Sequence, residues 1–252
     1  MIPVSVAIVT KDEEKNIQEA LQSIGDVAEI VIVDAFSTDR TIDICREYTD
    51  KIYHTEWRGY AKQKQVAIEH AKGPWVFILD SDERFTESLR EELSSVVKNN
   101  NVYSGFYFPR KNFFLGKWIR HGGWWPDYTL RLFLKDKAFI EDREVHEKVI
   151  VNGSVGYFKN PIEHYTYRSI SDYLKKMENY STLSAKEILR MNPEPSYISL
   201  MLKMLIGPVF TFQKMFFLNQ GFRDGIHGFM LAVLYSFYTF LKYAKVWEKR
   251  GG

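Results

Sequence analysis

Two aspartates stand one residue apart in the run Phe77-Ile78-Leu79-Asp80-Ser81-Asp82-Glu83. The apolar residues before them read as a buried parallel strand, and the acids begin where the strand ends. Two carboxylates so close repel unless a positive charge lies between them. A divalent cation carrying a diphosphate supplies that charge, because Mg²⁺ uses one or two protein carboxylates and leaves its other positions to phosphate and water. Taken alone, the run also fits a solvated acidic turn before a helix over 87–98, capped by Asp82 or Thr86.

The elements that would position this pair alternate along the first hundred residues. Strands are expected over 4–9, 29–33, 51–54 and 75–79, and helices over 13–24, 38–48 and 60–71. Such alternation means βαβ units and a parallel sheet, with ligands bound beyond the carboxyl ends of the strands. The strand ends are polar: Thr10-Lys11-Asp12-Glu13, then Asp34 to Asp39, then Asp80 to Glu83. No Gly-x-Gly-x-x-Gly follows the first strand, which argues against nicotinamide chemistry. Asp34 and Asp39 could accept hydrogen bonds from a base or ribose, and Asp39 could equally cap a helix.

The middle, 102–156, holds short β-like pieces and the dense loop Gly122-Gly123-Trp124-Trp125-Pro126-Asp127, and 171–250 reads as helical. A net charge of +2 gives no reason to expect nucleic acid. Cys45 is the single cysteine, which excludes an intrachain disulfide and suits a reducing compartment. The chain enters its first strand with no basic, cleavable leader, so a secretory signal is not expected. Residues 198–218 are apolar but interrupted by Lys203, Pro208, Gln213 and Lys214, and 229–241 is short. Neither matches the roughly 20 apolar residues of a spanning helix, whereas aromatics edged by lysines suit a helix lying on a membrane surface. Packing on the catalytic domain, or in a homo-oligomer, is the alternative.

The ordered set Val9-Thr10-Lys11-Asp12-Glu13, Asp34 through Thr41, Lys62-Gln63-Lys64-Gln65 and Asp80-Ser81-Asp82 resembles the inverting glycosyltransferases of family 2. In the second half, Phe113-Phe114-Leu115-Gly116, His121 through Asp127, Arg131-Leu132-Phe133 and Val145-His146-Glu147 look similar to bacterial lipopolysaccharide-core β-1,4-glucosyltransferases. The likeness covers nearly the whole chain. One departure is Asp34-Ala35, where many relatives carry a second acid or asparagine. The resemblance implies an α/β fold of the GT-A type, a mostly parallel sheet flanked by helices, with a C-terminal helical extension. Residues 1–170 would be catalytic, 1–100 as the nucleotide-binding half and 101–170 as the acceptor half, with 171–252 as the extension. It further implies that Thr10, Lys11, Glu13, Asp34, Ser37, Asp39, Lys64, Asp80 and Ser81 surround the nucleotide sugar. Asp80 and Asp82 would hold Mg²⁺ or Mn²⁺, with His146 or His164 as a further contact.

Inversion also needs a carboxylate that takes a proton from the acceptor hydroxyl. Asp127 leads the candidates because its tryptophan- and proline-rich loop could desolvate it; Asp142 and Glu141 follow. Trp124 and Trp125 offer flat faces to a sugar, and the fork of Arg131 or Arg120 suits a phosphate. The expected activity is metal-dependent transfer of a hexose, from a UDP-sugar by first choice, to a lipid-linked glycan such as lipopolysaccharide core. The expected place is the cytoplasmic face of the inner membrane. The alternatives are a glycoside hydrolase using paired carboxylates without metal, and a membrane-associated glycan- or nucleotide-sugar-binding protein without turnover.

Overall fold

A computed structural model describes residues 1–100, 102–141 and 148–250. In chain order the elements are β1 (Ile2–Thr10), α1 (Ile17–Ile24), β2 (Val27–Asp34), α2 (Thr41–Arg46), β3 (Ile52–His54), α3 (Tyr60–His70) and β4 (Trp75–Asp80). There follow β5 (Glu83–Phe85), α4 (Glu87–Asn99), β6 (Gly105–Phe114), β7 (Lys117–Trp118), β8 (Asp127–Leu134), β9 (Ala138–Glu141) and β10 (Lys148–Val151). The last are β11 (Val155–Tyr157), β12 (Ile162–Tyr167), α5 (Ile170–Met191), α6 (Tyr197–Gln213) and α7 (Ile226–Arg250).

The chain divides into two compact units, Met1–Lys111 with Asp127–His164, and Asn112–Pro126 with Tyr165–Gly252. Residues 112–126 thus group with the C-terminal helices in the second compact unit. The sequence pattern missed this because that loop carries no period of its own.

In the first unit the strand order is β3-β2-β1-β4-β8-β6-β12-β5. β3, β2, β1 and β4 run parallel, as the alternation predicts. β8 is antiparallel to β4, and β6 to β8, so the sheet is mixed rather than uniformly parallel. β1, β2 and β4 are buried on both faces: Val6, Ile8, Ile32, Phe77 and Leu79 on one, in a core shared with Ile17, Leu21 and Ile24 of α1, and Ala7, Val33, Val76 and Ile78 on the other, against Ala67 and Ile68 of α3. α1 buries Ile17, Ala20, Leu21 and Ile24, the i, i+3, i+4, i+7 stripe of an amphipathic helix. It starts at Ile17 rather than 13, because Asp12 turns with φ +53° and the Glu13 carbonyl accepts from the amides of Asn16 and Ile17. α2 likewise starts at Thr41, whose amide donates to Asp39. Thr86 caps α4 by accepting from the Leu89 amide. The three-residue β5, too short to show a period, was not foreseen.

In the second unit an aromatic core joins Phe114, Ile119, Trp124, Tyr173, Met215 and Leu231. α5 buries Tyr173, Met177, Ser181 and Ala185 at four-residue spacing and is capped by Ser169. α6 runs on through a π-type turn, giving a 22-residue helical stretch, Tyr197–Leu218, that contains an 18-residue window of mean hydropathy 1.3 with 11% of the window buried. By length and composition it could cross a membrane, which corrects the expectation that it falls short. The helix passes through Pro208 and Lys214 without a break.

Candidate active site

Strand register brings the polar ends together within the first unit. Thr10 pairs with Asp34, Asp34 with His54, and Val9 with Asp80. The loops after β1 and β2 are laced to each other. The Asp12 amide donates to Ser37 Oγ at 2.9 Å, and the Thr38 amide donates to Asp12 at 2.7 Å. The Glu13 amide donates to Thr41 Oγ1 at 2.8 Å, and the Glu14 amide donates to Asp39 at 3.1 Å. Burial favours the neutral acid of Asp39, but hydrogen bonds from Thr41 and the Glu14 amide lower its pKa overall. Its visible work is to hold these loops. Asp34 is wholly buried; it accepts from the amide and hydroxyl of Ser37 and lies 3.2 Å from His54 Nδ1. Ser37 and His54 thus cover the carboxylate that the resemblance places against a base. Beside it Phe36 adopts φ +56°, is 58% exposed and stacks on the His54 ring at 5.9 Å. A bulky residue in the left-handed region is a strained feature of the kind that gathers at binding sites.

A chain of alternating charge runs from α3 and the end of β4 through β8, β5 and β6. Lys64 Nζ lies 3.1 Å from Asp80 Oδ1, and Arg131 NH2 bonds the other Asp80 oxygen. Arg131 reaches Glu83 at 2.6 Å, Arg110 lies 3.8 Å from the same Glu83 oxygen, and Arg110 pairs with Asp127 at 2.7 Å. Burial disfavours the Asp80 charge, yet the Arg131 and Lys64 cations hold its carboxyl well below the usual carboxylate range. Burial likewise opposes the charge on Arg131, and Asp80 and Glu83 outweigh it. Arg110 Nε, Arg131 Nε and Thr10 Oγ1 are buried with no hydrogen-bond partner among the described residues. Leaving such groups unmatched costs about 1–3 kcal/mol each, a cost that an anionic ligand can relieve.

Glu83 is the fully buried hinge of this chain, and neither it nor Arg110 stands out in the sequence as a site residue. Their signal lay in register: His164 pairs with Glu83 and Arg110 with Asp127 across neighbouring strands. Breaking a buried ion pair by removing one partner costs roughly 3–5 kcal/mol. Glu83→Gln should lower unfolding stability by about that amount, read as a lower urea midpoint of the first unit; a loss under about 1 kcal/mol would show that the arginines do not depend on it.

Asp82 Oδ1 lies 3.5 Å from His164 Nε2, with both side chains largely covered. No cluster of three metal-ligating side chains occurs among the described residues. One carboxylate and one imidazole still suit a cation whose remaining positions are filled by diphosphate and water. Asp80 is engaged by both Lys64 and Arg131. Ser81 is buried and its carbonyl accepts from Arg84, while Lys11 is exposed at the rim. Glu141 ends β9 on a two-stranded ribbon with β10, outside the main sheet path. Asp142 and His146 lie outside the described residues. Trp124 is corrected: it is 8% exposed in the aromatic core of the second unit and offers no face to a sugar. Trp125 stands edge-on to Trp118 at 5.4 Å.

Comparison with known proteins agrees with this geometry. Residues 5–231 match the model of the glycosyl transferase family 2. The lipopolysaccharide core biosynthesis glycosyltransferase LpsC of Rhizobium meliloti is 30% identical over 260 residues, covering 98% of this chain and 93% of that protein. A glycosyltransferase of Rickettsia bellii is 28% identical, covering 97% and 86%. Among solved structures, the mannosyltransferase PcManGT of Pyrobaculum calidifontis, in complex with GDP-Man and Mn²⁺, superposes with a TM-score of 0.53 at 15% identity, covering 98% of this chain and 88% of that one. This last likeness concerns the fold alone.

Proposed function

This chain belongs to glycosyl transferase family 2, and we propose that it is an inverting, metal-dependent transferase moving a hexose from a UDP-sugar to a lipid-linked glycan such as lipopolysaccharide core. The observation that carries the reading is the charge chain from Lys64 to Asp127, which joins the strand-end Asp80 to Asp127 through Arg131, Glu83 and Arg110 within one unit. Asp82 and His164 would hold the cation. When bound, the cation supplies Lewis-acid stabilisation of the leaving diphosphate. Lys64 and Arg131 add fixed positive charge for the phosphates, already oriented by Asp80. Asp127 receives the proton of the acceptor hydroxyl through its carboxylate, with Arg110 fixing its position. Glu141 and Asp142 remain the alternative acceptors of that proton.

The base would stack on Phe36, whose exposed ring His54 supports. Phe36→Ala should raise the donor KM about tenfold with little change in kcat, since aromatic stacking contributes about 0.5–1.5 kcal/mol beyond its buried area. An unchanged KM would remove Phe36 from the donor site. The deciding experiment for the whole reading is nucleotide release by the purified chain over UDP-, GDP- and ADP-sugars with Mn²⁺, Mg²⁺ or EDTA. Metal-dependent release from a UDP-sugar supports it; EDTA-resistant cleavage of a glycoside, with no nucleotide released, favours a hydrolase.

A membrane-bound acceptor also accounts for α6. Ile198, Met201, Leu205, Ile206, Val209 and Phe210 form a stripe in which each side chain is more than half exposed. Water-soluble monomers rarely expose so large an apolar face. On this reading α6 lies in the surface of the cytoplasmic leaflet, with Lys203 and Lys214 toward the headgroups. The chain should float with anionic vesicles, and Leu205→Glu with Val209→Glu should leave it in the soluble fraction. Equal flotation by this variant would discard α6 as the contact.

A further inference from the structure

In the second unit, Lys117, Trp118, Arg120, His121, Arg223 and Asp224 line a cleft of about 430 Å³. Two chain segments are stitched together to build it. Asp224, 3% exposed, accepts from the amides of Arg120 at 3.2 Å and His121 at 2.8 Å, and its carbonyl accepts from Lys117 Nζ at 2.7 Å. The Gly122 amide donates to the Asn219 carbonyl at 2.8 Å. The turn holding Arg223 and Asp224 sits hard against α7: a Cβ added at Gly228 would lie 1.9 Å from the Gly221 carbonyl. Three cations face one carboxylate here, a net charge of +2 with His121 neutral. The Arg120 guanidinium lies over the Trp118 ring at 4.1 Å. Stacking fixes its plane and leaves its N–H edge free to grip an oxyanion. Trp125, edge-on to Trp118, adds an aromatic surface of the kind that meets a sugar ring.

We propose that this cleft is a phosphate subsite, binding a phosphate group carried by the acceptor glycolipid. The charge suits a phosphate dianion, and the paired indoles suit the sugar that bears it. The source of the phosphate is either the glycan itself or a lipid headgroup. The inference rests on the transferase reading, since it names a feature of that enzyme's acceptor.

The test reads binding at the cleft and needs no turnover. The Trp118 indole N–H resonance, assigned by its loss in Trp118→Phe, is followed by NMR while the full chain is titrated with inorganic phosphate or, in the Leu205→Glu, Val209→Glu background that removes the α6 contact, with phosphatidylglycerol vesicles. Saturable movement that weakens about tenfold or more in Arg120→Gln with Arg223→Gln is expected, because each arginine supplies charge-assisted bonds. Response to inorganic phosphate supports a glycan phosphate, and response to vesicles alone supports a headgroup. No response to either, or equal affinity in the double variant, overturns the subsite. Both substitutions keep the Arg120 amide that bonds Asp224, and a retained thermal midpoint checks the fold. If the parent chain shows the phosphate response but releases no nucleotide, the transferase reading fails while the anion site stands.

Discussion

Asp82→Asn is expected to abolish metal-dependent transfer while the fold survives. The side chain is 16% exposed and lies against His164, and asparagine has nearly the same shape. What it lacks is the negative charge that a hard cation demands of its ligands. Lewis-acid stabilisation of a leaving diphosphate contributes several kcal/mol, on the order of a thousandfold in rate. Nucleotide release with saturating Mn²⁺ or Mg²⁺ measures the loss, and a thermal melt checks the fold. Retained full activity, or a chain that no longer folds, would falsify the assignment of Asp82 as the ligand. The neighbouring Asp80 offers a contrast. Its carboxylate ties Lys64 to Arg131, so Asp80→Asn should disturb folding stability as well as rate.

Asp127→Asn should lower kcat by about 10²–10⁴-fold with donor KM little changed, the range that a positioned general base contributes. The carboxylate is a third exposed and fixed by Arg110 at 2.7 Å, so it is both reachable and oriented. Asparagine keeps a hydrogen-bond acceptor for Arg110 but cannot take a proton. Slow donor hydrolysis separates the roles, because it measures donor and metal handling without the acceptor hydroxyl. A variant that transfers at the parent rate would hand the proton to Glu141 or Asp142. Arg110→Gln tests positioning: it should lower kcat less than Asp127→Asn and shift the pH profile of transfer, which a purely structural arginine would not do.

The sequence by itself determined the parallel half of the sheet, because its strands are short apolar runs that must be covered on both faces. It also determined that polar residues meet at one rim, since each such strand ends in hydroxyls or acids and parallel strands end together. The ordered motifs were enough to indicate the family. It could not show that Glu83 and Arg110 link Asp80 to Asp127, because that link depends on strand register between residues distant in the chain. Nor could it separate Trp124 from Trp125: adjacent tryptophans have one chemistry, and only packing among Phe114, Tyr167 and Tyr235 buries the first. Asp34 was legible as a strand-end acid, but its complete burial behind Ser37 and His54 was not. The cleft around Asp224 was the least legible of all. Its walls come from residues 117–121 and 223–224, about a hundred positions apart, and backbone amides that leave no trace in the side-chain sequence join them.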